Sequence, residues 1–173
     1  MEGGRVEILS RVEGATARDD SRNRVERSVE IGNLRIAAEN AGEKLGAASV
    51  TLLQFPDNRM DSVPLLDVIK PIEEQITGRT PEVVVTHHAA DLNVDHKIVH
   101  NAVITACRPL PRTTVSRVLM FEVPSATGWG DADGTNRFHP NWYEDVSETI
   151  AAKIAALREY HEEMRQWPHA RSY

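Results

Sequence analysis

The stretch Glu82-Val83-Val84-Val85-Thr86-His87-His88-Ala89-Ala90-Asp91-Leu92-Asn93-Val94-Asp95-His96 decides how the rest of the chain reads. Its first five residues, EVVVT, form a short β-branched run that is apolar throughout its middle, the pattern of a buried parallel strand. The pattern then changes period. From about Asp95 to Cys107, Val99, Ala102, Val103 and Ala106 recur at helical spacing, and Arg108-Pro109 ends the run. Strand, polar loop and helix in that order make half of a βαβ unit, and the loop sits at the carboxyl end of the strand. In open parallel sheets ligands collect at that end.

The same alternation continues on both sides. Arg5 to Leu9 and Val50 to Phe55 read as strands, the second stopped by Pro56-Asp57-Asn58, and Arg117 to Val123 reads as a fourth. A helix opening near Ser21 carries Leu34, Ala38, Ala41 and Leu45 on one face and closes at Gly46. A second begins near Ser62 and Pro64 with Leu65, Ile69, Ile72 and Ile76 as its stripe; Pro71 inside it predicts a kink or break. Ile150, Ile154, Leu157, His161 and Met164 mark a C-terminal helix, after a long irregular stretch from Pro124 to Asp145. Four strands alternating with four helices predict an α/β fold with a mostly parallel sheet and flanking helices, as one domain over residues 1–173. The strands at Arg5–Leu9 and Glu82–Thr86 are expected to be neighbours or to flank a gap.

Composition narrows the function classes. At 40% hydrophobic and 27% charged the chain has an ordinary globular balance. A net charge of −6 gives no basic footprint for nucleic acid. No apolar run reaches the roughly 20 residues of a membrane span. One cysteine, Cys107, and no apolar leader in Met1 to Arg5 make a cytoplasmic location the expectation.

The loop holds the densest cluster of chemical side chains: His87, His88, Asp91, Asn93, Asp95 and His96. Imidazole and carboxylate at close range can ligate zinc or move protons near neutral pH. His96 and His100, four apart on a helix, could share an ion. Each residue also has a plainer reading: His100 bonded locally, Asp95 or Asn93 as helix-start or turn residues, and Asp91 as a turn residue. Asp131 to Asn136 hints at a calcium loop but lacks the spacing and the closing glutamate.

The segment PEVVVTHHAADLNVDHKIVHNAVITACRP resembles the signature of the PIG-L/LmbE-type N-acetylglucosaminyl de-N-acetylases, above all in its Asp-Leu-Asn-x-Asp-His core. Further pieces fall in that family's order. Glu13 to Arg18 is similar to its Gly/Thr/Arg loop, Phe55 to Asp61 to its FPDNRxD turn, and Glu122 to Trp129 to its EVPSxTxW loop. Pro168 to Ser172 is similar to a late His-Pro-Arg-Ser element, with Ala170 for the proline. The resemblance implies a Rossmann-like, LmbE-like deacetylase fold and a zinc-dependent hydrolase that removes acetyl from N-acetylated amino sugars. It makes His96 a metal ligand, Asn93 an oxyanion donor where the family more often has histidine, and Asp95 an orienting residue. Arg18 and His88 fall to substrate binding, with His87 or His88 the nearest candidate for proton transfer.

One departure stands out. The family's His-Pro-Asp-Asp-Glu run supplies two zinc ligands and the general base after its first strand, and no such run occurs in these 173 residues. The family's first strand is thus expected to be missing, the chain to be shortened at both ends relative to the family, and zinc to be weak or absent in this chain alone. The alternative is a non-catalytic sugar-binding or structural remnant.

Overall fold

A computed structural model describes residues 4–11, 13–111, 113–130 and 137–172, without the side chains of Arg11 and Arg18. The elements in order are β1 (Glu7–Arg11), α1 (Ser28–Lys44), β2 (Ser49–Leu53), α2 (Leu65–Arg79), β3 (Val83–His87), α3 (Val94–Ala106), β4 (Arg117–Phe121) and α4 (Ile150–Glu159). Short 3-10 turns at Thr16–Arg18, Met60–Ser62 and Thr127–Trp129 lie in the connections. The predicted alternation of strand and helix is present, with boundaries displaced by a few residues. The largest displacement is at α1, which starts at Ser28 rather than near Ser21: residues 24–27 turn before the helix, with Asn23 Oδ1 accepting the N–H groups of Val25 and Glu26.

The chain forms two compact units, residues 1–57 with 141–173, and residues 58–140. In the first, β1 pairs in parallel with β2, from Glu7 opposite Ser49 to Arg11 opposite Leu53. Helix α1 packs on β2 and on α4. Its buried positions are Ala37, Ala41 and Gly42, so the inward stripe is narrower than the sequence pattern suggested, and Leu45 is exposed. A Cβ on Gly42 would fall 2.3 Å from Val50 Cγ2, so only glycine lets the helix lie this close to β2. The helix ends as predicted at Gly46, whose φ of +67° suits a residue without Cβ.

In the second unit β3 pairs in parallel with β4, from Val83 opposite Arg117 to His87 opposite Phe121. Helix α3 packs on β3 and on α2. Val68, Ile69, Ile72, Ala102, Val103 and Ala106 form the buried seam between the two helices. Pro71 does not break α2, which runs unbroken from Leu65 to Arg79. The flanking Val68, Ile69 and Ile72 are buried, and that packing offsets the hydrogen bond the proline cannot make.

Of the two arrangements expected for β1 and β3, direct pairing is not the one found: among the described residues the strands form two two-stranded parallel sheets. One expectation changes, in that β3 is not covered on both faces. Thr86 is buried, but Val83 and Val85 on the alternate face are 39% and 58% exposed. Helix α3 lies on β3, and side chains of a strand alternate between faces, so apolar character alone overstated the burial.

Candidate active site

The loop from His87 to Asn93 leaves the carboxyl end of β3 and enters α3. Asn93 caps that helix: its Oδ1 accepts the N–H of Asp95 at 2.9 Å. The cap consumes the carboxamide oxygen, which leaves Nδ2 as the end that could donate to an oxyanion. Asp95, wholly buried, accepts the N–H of Asn58 at 2.6 Å and of Met60 at 3.0 Å. These two contacts of Asp95 fall on the backbone of the Asn58–Met60 turn. Asn58 adopts a positive φ of 49° there, a conformation asparagine tolerates better than most residues.

His96, one helical residue on, has its ring 19% exposed and stacked on His87, with centroids 4.0 Å apart and planes inclined by 18°. His87 also meets Phe121, its register partner on β4. His96 Nδ1 lies 3.0 Å from Asp91 Oδ1, off the axis of a well-directed hydrogen bond. His88 stands apart from this stack. Its Nδ1 accepts the N–H of Ala90 at 3.3 Å, and its ring meets Phe138 edge-on. His100 takes the plainer of its two readings: it is buried, and its Nδ1 donates to the His87 carbonyl at 2.9 Å.

Sequence reasoning counted Asp91 in the His/Asp cluster, with a turn residue as its plainer reading, and gave it no role of its own; it is wholly buried and gathers the site around it. Its Oδ1 accepts the N–H of Asn93 at 2.9 Å, and its Oδ2 accepts the Thr127 hydroxyl at 2.8 Å. Thr127 Oγ1 in turn accepts the N–H of Val123 at 2.7 Å, and the Ala126 carbonyl accepts the N–H of Leu92 at 3.3 Å. The Val123–Gly130 loop is thereby fastened to the His/Asp loop. A Cβ on Gly130 would sit 1.8 Å from the Ala90 carbonyl oxygen, so glycine is required at that contact. The available signal was the threonine of the EVPSxTxW-like segment, a hydroxyl placed to meet a carboxylate.

In the other unit, Glu13 is buried and held by Arg22 through two contacts of 2.8 and 2.6 Å, and by Arg24 at 2.7 Å. Its carbonyl accepts the N–H groups of Ala15 and Thr16, which shapes the Thr16–Arg18 turn. The N–H of Ala17 donates to Asp57. The side chain of Arg18 lies outside the described part of the structure, as do residues 131–136 of the rejected calcium loop.

A family model described as GlcNAc-PI de-N-acetylase (PIG-L) matches residues 1–107. This chain belongs to the PIG-L family. Among relatives of this PIG-L chain, an uncharacterized deacetylase from Escherichia coli K12, YaiS, is 32% identical over 129 residues, covering 71% of this chain and 62% of the relative. The N,N'-diacetylchitobiose deacetylase from Pyrococcus horikoshii superposes with a TM-score of 0.68 at 15% identity, over 94% of this chain and 61% of that one. GalB, the 4-carboxy-2-hydroxymuconate hydratase from Pseudomonas putida KT2440, superposes with a TM-score of 0.61 at 16% identity, over 91% and 80%. These likenesses bear out the α/β fold of parallel strands and flanking helices. A deacetylase and a hydratase share it, so the fold alone does not select the reaction. The chain spans a little over three-fifths of the length of the two deacetylases.

A catalytic zinc in such a site needs about three protein ligands and an open position. Among the described residues, no three His, Cys, Asp or Glu side chains converge where a metal ion could be held. Asp91 faces Nδ1 of His96, so it is spent on that ring, and His100 is spent on a backbone carbonyl. The described residues do not by themselves fit a catalytic zinc.

Proposed function

We propose that this chain is the substrate-side part of an amide hydrolase that removes acetyl from N-acetylated amino sugars. What supports the reading is the family membership of residues 1–107, together with the sequence position of Asn93, Asp95 and His96 at the start of α3, just after the carboxyl end of β3. The diacetylated sugar named for the Pyrococcus protein supports the substrate class. Hydrolysis of an amide needs a generated hydroxide, a base and donors for the tetrahedral oxyanion. Here Asn93 Nδ2 would donate to the oxyanion, His88 and Arg18 would meet the sugar, and His96 would serve as one ligand of the family's zinc. The other two ligands and the base belong to the His-Pro-Asp-Asp-Glu run, which these 173 residues do not contain. Turnover therefore requires a segment bearing that run. A cytoplasmic location belongs to the same proposal.

The test is acetate release from N-acetylglucosamine and N,N'-diacetylchitobiose, for the 173-residue chain and for a protein in which a family strand with that run precedes Met1. Release by the extended protein alone is expected. A folded extended protein that binds zinc yet releases no acetate from either sugar would contradict the proposal. In favour of a non-catalytic sugar binder stands one observation, that no three ligating side chains converge among the described residues; saturable sugar binding without hydrolysis by the extended protein would select it.

A further inference from the structure

We propose that Asp91 is a positioning residue that fixes the tautomer of His96, holding the proton on Nδ1 and the lone pair on Nε2, with Thr127 locking the carboxylate in place. This deepens the reading of His96 as a functional imidazole, on which it rests. A neutral imidazole carries one N–H and one lone pair. His96 Nδ1 is shielded from water and has Asp91 Oδ1 at 3.0 Å. A lone pair on Nδ1 would face the lone pairs of a carboxylate oxygen at that distance, two acceptors with no proton between them. The contact is off-axis, yet its sign is the same: a proton on Nδ1 converts repulsion into a charge–dipole attraction within a buried, weakly screened site.

The carboxylate itself has little freedom to turn away. Oδ2 takes the Thr127 hydroxyl, Oδ1 takes the N–H of Asn93, and the side chain has no exposed surface. The hydroxyl proton of Thr127 is directed to Asp91 because its oxygen already accepts the N–H of Val123. The histidine ring is constrained as well, with His87 stacked on one face. The basic atom of His96 is thus selected from outside the ring. A histidine whose second nitrogen is oriented by a carboxylate presents its free nitrogen in one defined direction, whatever it then binds.

Long-range proton–nitrogen correlation spectra of the 15N-histidine-labelled 173-residue chain, taken above neutral pH, read the tautomer directly; His96→Gln assigns the signal. The expected result is a protonated Nδ1 and unprotonated Nε2 as the major form, set by the charge–dipole attraction to Asp91. Asp91→Ala should populate the Nε2–H form, and Asp91→Asn should weaken the preference, while Thr127→Ser, which keeps the hydroxyl, should leave it unchanged. A wild-type His96 carrying its proton on Nε2 would overturn the inference, and so would an Asp91→Ala chain with folded amide dispersion and the wild-type tautomer. If Asp91→Ala does not fold, the wild-type spectrum and Asp91→Asn decide. Acetate release is not read in this experiment, so its failure is separate from failure of the deacetylase reading.

Discussion

Asp95, wholly buried at the first turn of α3, accepts the backbone N–H groups of Asn58 and Met60 on the turn that precedes α2. Thirty-seven residues of sequence separate Asp95 from Asn58, and the contact ties the FPDNRxD-like turn to the start of α3. Replacing the carboxylate by a methyl group leaves two backbone donors short of an acceptor, one of them in a buried contact. Asp95→Ala should lower unfolding stability by about 2–4 kcal/mol. Urea unfolding followed by circular dichroism measures it; a loss within about 0.5 kcal/mol, the size of an ordinary surface change, would show that water replaces the carboxylate at no cost.

Asn93 has two separable duties, and two substitutions divide them. Asn93→Asp keeps an oxygen for the N–H of Asp95 and so keeps the cap, whereas Asn93→Ala should cost about 1 kcal/mol of stability. Both remove the Nδ2 donor. In the extended protein both should therefore lower kcat by about 10²-fold or more, as loss of an oxyanion donor does. Wild-type kcat in either variant would confine Asn93 to the cap.

Glu13 concerns the other unit. Its buried carboxylate meets two guanidinium groups that are 38% and 44% exposed, so the arginines can regain water and the carboxylate cannot. Glu13→Ala keeps the main-chain carbonyl that accepts the N–H groups of Ala15 and Thr16, so the loss comes from the carboxylate and its arginines. About 3 kcal/mol should be lost, as when one partner of a buried ion pair is removed. Arg24→Ala should cost less than half of that, because Arg22 retains both of its contacts. Chemical denaturation of the two variants provides the comparison, and equal losses would contradict the ordering.

Acid should destabilise both units. The Arg27 guanidinium hydrogen-bonded to Asp19 holds that carboxyl below its ordinary 3.8, and Lys70 and then Arg108 hold Glu73 below its ordinary 4.5. A carboxyl depressed in the folded state contributes stability above its unfolded value and loses it as pH falls through the folded one. The melting temperature should therefore fall as pH drops below about 4.5, and Arg27→Gln or Arg108→Gln should flatten that fall. Since these pairs are largely at the surface, added salt should flatten it too. A melting temperature independent of pH down to about 3 would exclude any part for these pairs.

The strands, the helices and their parallel pairing were legible because period and composition change sharply at Val83, Asn93 and Arg117. What escaped was burial. Val83 and Val85 read as core but stand exposed, because a strand's cover depends on neighbours that its own residues do not encode. At the site, the Asp-Leu-Asn-x-Asp-His core gave roles to Asn93, Asp95 and His96, while Asp91, its first residue, received none. Its distinction lies in the Thr127 hydroxyl, 36 residues away, and no local pattern announces a contact of that range. Pro71 illustrates the reverse case, a local signal for a helix break that the buried positions around it outweigh.

The measurement that tests the account most directly is the zinc content and acetate release of the extended protein, with His96 and with His96→Ala. The account predicts stoichiometric zinc and release from N-acetylglucosamine-type sugars for the first, and loss of both in a still-folded His96→Ala protein. Full zinc and full activity in His96→Ala would contradict it, because the Asp-His pair would then have no part in the chemistry.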